Sequence, residues 1–211
     1  MKRLKKMSII IALLMVTFAV TSCSKEKTIT TKATPEETAK IYLDMSLKGD
    51  KSNINKIGLS DEEYEEIRNG LDEIFIKQLS DVNTEGVKIS QEVQNNFKKD
   101  IFTGLAKIEY EVVPISIEED SARVEIKIRG FDVNKISTGS VAKVQEACLK
   151  NASMTDEEIM SLYIKTIGSY LSNGTLVETP SSVEMYMTLE NDIWAPLNSD
   201  IMAVAKEYYK I

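Results

Sequence analysis

The sequence contains no histidine. That absence removes Ser-His-Asp and Cys-His catalysis, histidine metal sites and histidine-based pH switches. Cysteine is almost missing too, with only Cys23 and Cys148. No glycine-rich phosphate loop and no dinucleotide fingerprint occurs. Nor is there an apolar run of the roughly 20 residues that a membrane-crossing helix needs. The longest, Met7 to Val20, has 14 residues. Positive charge is in deficit, 26 Lys and Arg against 33 Asp and Glu, a net charge of −7. Nucleic-acid binding normally leaves a basic stripe, so nucleic acid is not an expected partner.

What the chain does have begins at its start. Lys2, Arg3, Lys5 and Lys6 form a basic segment without an acid, followed by the apolar run and then Val20-Thr21-Ser22-Cys23. A basic region, a short apolar region and small residues together make the layout of a secretory signal peptide. The basic residues stay on the cytoplasmic side and set the orientation. VTSC, placed directly after such a run, resembles the lipobox of bacterial lipoproteins. The resemblance implies a diacylglyceryl group on the Cys23 sulfur and cleavage just before that residue. Two acyl chains anchor stably where one is marginal. The expected layout is a signal peptide over residues 1–22, a lipidated Cys23 with a polar tether over 23–33, and one domain over 34–211. Lipid on Cys23 would make the membrane a partner and would leave Cys148 without a disulfide mate. Cys148, in the helical pattern VAKVQEACLK, reads as a small core residue rather than a reactive thiol.

Loss of the four basic residues of the signal peptide leaves 22 basic against 33 acidic residues, net −11. So acidic a body does not adhere to anionic lipid by charge. The 189 residues that remain are ample for one hydrophobic core.

Along the body, three sites carry the signal of a reciprocal helix cap, Thr34-Pro35-Glu36-Glu37, Ser60-Asp61-Glu62-Glu63 and Thr155-Asp156-Glu157-Glu158. The first opens a helix through Ala39, Ile41, Tyr42 and Met45 to Gly49. The second opens one with Tyr64, Ile67, Leu71, Ile74, Phe75 and Leu79 on a single face, and a short helical turn is expected between the two. A third helix starts near Ser90 with Val93, Phe97, Ile101 and Leu105. The period then changes from helical to alternating. Ile108, Tyr110 and Val112 share a face, which switches to Val113, Ile115 and Ile117. A one-residue slip of this kind predicts a bulge near Val113-Pro114. Ala122, Val124, Ile126 and Ile128 alternate with Arg123, Glu125, Lys127 and Arg129, as in a sheet covered on one side. Helices follow over 134–150 and from Thr155 to Asn173-Gly174. A strand over Val183–Leu189 turns at Glu190-Asn191-Asp192 into Ile193-Trp194-Ala195. A last helix spans Ser199 to Tyr209, with Ile201, Val204, Ala205 and Tyr208 on one side.

These patterns predict an α+β fold, an antiparallel sheet of about four strands with helices on its apolar face. TPEETAKIYLDMSLKGD, EYEVVPISIEEDSARVEIKIRG and MTLENDIWAPL, together with VTSC, resemble uncharacterised lipoproteins of Gram-positive bacteria. Their domain is of the curved-sheet cystatin-like or nuclear-transport-factor-two-like kind. The resemblance implies a helix laid across a bent sheet, a cavity between the two, and no established activity.

Tyr42, Tyr110, Tyr163, Tyr170, Tyr186 and Trp194 are the candidates to line such a cavity, although aromatics at these spacings also make ordinary core. The methionines are expected to fill core positions. Glu62-Glu63-Glu65-Glu66 and Asp156-Glu157-Glu158 stand in first turns of helices, where the helix dipole favours carboxylates, so neither is read as a metal site. No cofactor, metal or catalytic residue is expected. The function that fits is a non-catalytic module binding a small ligand or an envelope protein. The alternatives are a carboxylate-dependent hydrolase of envelope polymers and an envelope assembly factor.

Overall fold

The computed structural model describes residues 33–69, 87 and 89–210. Cys23, the expected signal peptide over residues 1–22, the expected tether up to residue 32 and the predicted apolar face from Leu71 to Leu79 lie outside the described residues.

The chain enters through α1 (Pro35–Lys48). The Thr34 hydroxyl accepts the Glu37 N–H at 3.1 Å while the Glu37 carboxylate accepts the Thr34 N–H at 2.9 Å. Two backbone donors that the helix leaves unpaired are thereby satisfied. Gly49 ends α1 at φ +66°, the left-handed conformation that glycine adopts at least cost. A short 3₁₀ turn (Ile54–Ile57) follows. Residues 61–69 are helical behind the Ser60–Glu63 box, whose two bonds are 2.7 and 3.2 Å long. Next comes α2 (Gln91–Leu105), which buries Val93, Phe97, Ile101 and Leu105 as its spacing predicts.

The hairpin β1 (Glu109–Ile117) and β2 (Ser121–Arg129) leads through the two-residue β3 (Phe131–Asp132) into α3 (Val133–Lys150). The chain continues through α4 (Asp156–Ser172), β4 (Ser181–Glu190), β5 (Ile193–Pro196), α5 (Asn198–Glu207) and the two-residue β6 (Tyr209–Lys210). Four strands form one open antiparallel sheet in the order β1-β2-β4-β5. In β2 burial alternates strictly. Ala122, Val124, Ile126 and Ile128 are buried, while the arginines, lysine and glutamate between them are half-exposed. Among the described residues the sheet buries one face of β2, as the alternation in its sequence predicts.

The bulge exists, but it falls later in the strand than Val113-Pro114. Pro114 still pairs with Val124, and the register slips between Pro114 and Ser116, so Ile115 and Ser116 together oppose Arg123. Val113 pairs with Glu125 on the outward face, and only Ile117, opposite Ala122, lands on the inward one. Proline sits in this edge strand, where its missing donor costs no ladder bond. The turn between β4 and β5 has Asn191 at φ +50° and Asp192 at φ +66°. Two successive positive φ values make a type I′ turn, whose twist matches the flanking strands.

Helix α1 lies on the inward face against β1, β2 and β5, and α5 covers β4. α5 also closes the stretch of β4 edge that the short β5 leaves open. Leu197 donates to the Tyr186 carbonyl at 3.0 Å, and the Asp200 carboxylate accepts the Tyr186 N–H at 2.8 Å. Helix and side chain take the place of a fifth strand there. A second layer is helical, with α2 and α3 both packed on α4. Gly104 and Gly168 let α2 and α4 approach closely, since a Cβ at either would collide with Leu171 or Asp100. The parallel pair β3–β6 ties the end of the chain to the segment joining sheet and helical layer. Cys148 is half-buried at the rim of the core rather than enclosed in it, next to the exposed Leu149.

Candidate functional site

The structure distributes the aromatic candidates over separate places. A crevice opens between α1 and α5 above β4. It is lined by Tyr42, Met45 and Ser46 from α1, Met185 from β4, and Ile201 and Tyr208 from α5, among others. Of the candidates only Tyr42 reaches it. The enclosed volume is about 20 Å³, room for roughly one water molecule. The lining contains no carboxylate, and its hydroxyls are few. Ser46 and Tyr208 bond each other at 2.9 Å.

Tyr110 sits where α1 crosses β1 and donates to Asp44 Oδ1 at 2.7 Å. Lys48 bonds the same carboxylate at 2.6 Å and stands 5.3 Å from the Tyr110 ring centre. Burial, and then the bond to Asp44, raise the Tyr110 pKa. Tyr163 is enclosed between helices. Its hydroxyl turns towards Ser137 without a hydrogen bond of ordinary geometry, and burial raises its pKa. Tyr170 lies over Gly139, with Lys143 against its ring. Trp194 is buried on the inward face of β5, and Tyr186 stands 46% exposed on the outward face.

Sequence reasoning placed Tyr208 and Met185 on the correct faces of their elements but did not bring them to one crevice. The period of a helix gives its apolar stripe; it does not say which strand that stripe will meet. Among the described residues no group of three Cys, Asp or Glu side chains is placed to hold a metal ion. Glu63 and Glu158 serve instead as the return halves of capping boxes.

Burial drives the Tyr208 phenol up to about 12 from 10.0, and Tyr42 likewise to about 12. Burial raises Tyr209 as well. A raised folded-state pKa means that the folded form holds its proton more tightly than the unfolded form. The associated stability is therefore complete below pH 10 and is lost between about pH 10 and 12. For the 8% exposed Tyr208, two pH units correspond to about 3 kcal/mol. Denaturant midpoints measured from neutral pH to pH 12 should fall only above pH 10, with phenolate absorbance lagging that of free tyrosine. A midpoint unchanged at pH 12 would contradict the burial.

The family described as Domain of unknown function (DUF5105) matches residues 25–211. The chain belongs to that family. No curated protein matches it. Among solved structures it resembles ycdA of Bacillus subtilis subsp. subtilis str. 168, a "putative lipoprotein", with a TM-score of 0.63 and 19% identity. That likeness covers 83% of this chain and 56% of ycdA, so the chain spans little more than half of its neighbour's length. At this identity the likeness carries the fold.

Proposed function

We propose that this member of the family is an extracytoplasmic lipoprotein, anchored through acyl chains on Cys23, whose domain is a non-catalytic binding module. One observation carries the anchor: a basic segment, 14 apolar residues and VTSC in succession. The name given to ycdA agrees with it. No helix among the described residues is long and apolar enough to cross a membrane. The cystatin-like reading is supported by α1 lying across one face of a four-stranded antiparallel sheet. The binding role, rather than an enzyme, is supported by a crevice lined without carboxylates and by exposed apolar side chains at one end of the sheet.

The Cys23→Ala variant is expected to accumulate as uncleaved precursor or to leave the membrane fraction. Radiolabelled palmitate should be incorporated by the wild-type chain and not by the variant. A correctly cleaved Cys23→Ala chain that still fractionates with membranes would refute the lipid anchor.

A further inference from the structure

Among the described residues, five large apolar side chains are well exposed, and four of them lie at one end of the sheet. Ile115, two residues beyond the outward Val113, opposes Arg123, which in turn pairs with Tyr186. Leu197 adjoins the Tyr186 carbonyl. Ile117 stands at the same end of β1 but opposite Ala122 on the inward face, so it lies outside this outward group. Their exposures are 42% for Ile115, 46% for Tyr186, 45% for Leu197 and 57% for Ile117. Apolar side chains gathered in this way and rimmed by charge mark an interaction surface more often than scattered ones do.

The rim specifies the occupant. Glu118, Glu119 and Asp120 form the β1–β2 turn, and Leu189 N–H bonds Asp120 O at 2.8 Å, which brings Glu190 beside them. These four exposed acids have no basic partner in any ion pair among the described residues. At the opposite end of the same face, Glu109 and Glu111 are paired with Arg129 and Lys127. Arg123, at the centre, stands 3.6 Å from Glu184 and is balanced by it. The surface is therefore apolar in the middle and negative at the border, on a chain already negative overall. We propose that it receives a cationic amphipathic segment of a protein partner, in which apolar residues alternate with Lys or Arg. Its apolar side chains would cover Ile115, Tyr186 and Leu197, and its cations would meet the acid rim. An anionic bilayer would be repelled by the same rim. This rests on the binding-module reading above and gives that module its surface and partner class.

The test uses the full chain in neutral phosphatidylcholine vesicles, with protein-free vesicles as blank and two synthetic peptides of equal charge. One alternates lysine with valine, the other lysine with serine. The valine peptide is expected to bind about tenfold more tightly, the scale of a modest hot spot. The double variant Ile115→Ser, Tyr186→Ala should remove that difference, and Glu118→Gln with Glu119→Gln should weaken both peptides. Because these side chains are exposed, the melting curves should stay within small shifts of wild type. Equal binding of the two peptides, indifference to the double variant, or preferential binding of the chain to phosphatidylglycerol vesicles would each overturn the proposal. An unmodified Cys23 would overturn the anchor and leave the peptide comparison as it stands, so the two failures are separable.

Discussion

Phe131→Ala is expected to destabilise the domain by about 3–5 kcal/mol, the range for removing a fully buried aromatic ring. Phe131 is 0% exposed and sits where the two layers join. Its ring packs 5.7 Å from that of Tyr209 and reaches the surface of α2 at Gly104. Its N–H donates to Tyr208 O at 2.7 Å, and it bridges Leu176 in the segment after α4. Alanine would keep the backbone bonds and leave a cavity bounded by sheet, helices and chain end. Those walls belong to different elements held by separate contacts, so little collapse is available to fill the space. Urea denaturation should show a lower midpoint at an unchanged slope. A loss below about 1 kcal/mol would mean that the layers are not joined at this ring.

Gly130→Ala is expected to cost about 3 kcal/mol, at the upper end of what overpacking causes. A Cβ at Gly130 would overlap the Glu207 carbonyl oxygen and lie 2.9 Å from Tyr208 O. Both obstacles are backbone, so no side chain can swing aside, and the end of α5 would have to retreat. The β3–β6 pair and the Phe131–Tyr208 bond would weaken with it. Gly139→Ala is the control. There the obstacle is the far end of the Tyr170 side chain, which can move, and alanine gains up to about 1 kcal/mol of helix propensity. The expected order is a large loss at Gly130 and a small change at Gly139. The reverse order in denaturation curves would show that backbone contact at Gly130 does not limit the packing.

The sequence was most legible where the physics is local. All three capping boxes form, because each needs only four consecutive residues. The alternation in β2 predicted its burial residue by residue, because side chains on a strand point to opposite faces whatever the partner. The bulge was legible as a change of period, while its position depended on pairing with β2 and so fell past Pro114. β3 and β6 were invisible: two residues carry no period, and each finds its partner far away in the sequence. The aromatic candidates scattered because spacing assigns a side chain to a face and says nothing about which faces converge.

By itself, then, the sequence determined the elements, their caps and the one-sided burial of the sheet. It also carries the segment VTSC on which the anchor reading depends. These follow from short-range backbone geometry and the periods of helix and strand. Tertiary structure alone decided that the space between α1 and α5 closes to the volume of a water, that α5 stands in for a missing strand along β4, and that Ile115, Tyr186 and Leu197 stand exposed beside acids with no ion-pair partner among the described residues. Each of those depends on where one element ends against another, a question of distance between residues far apart in the chain.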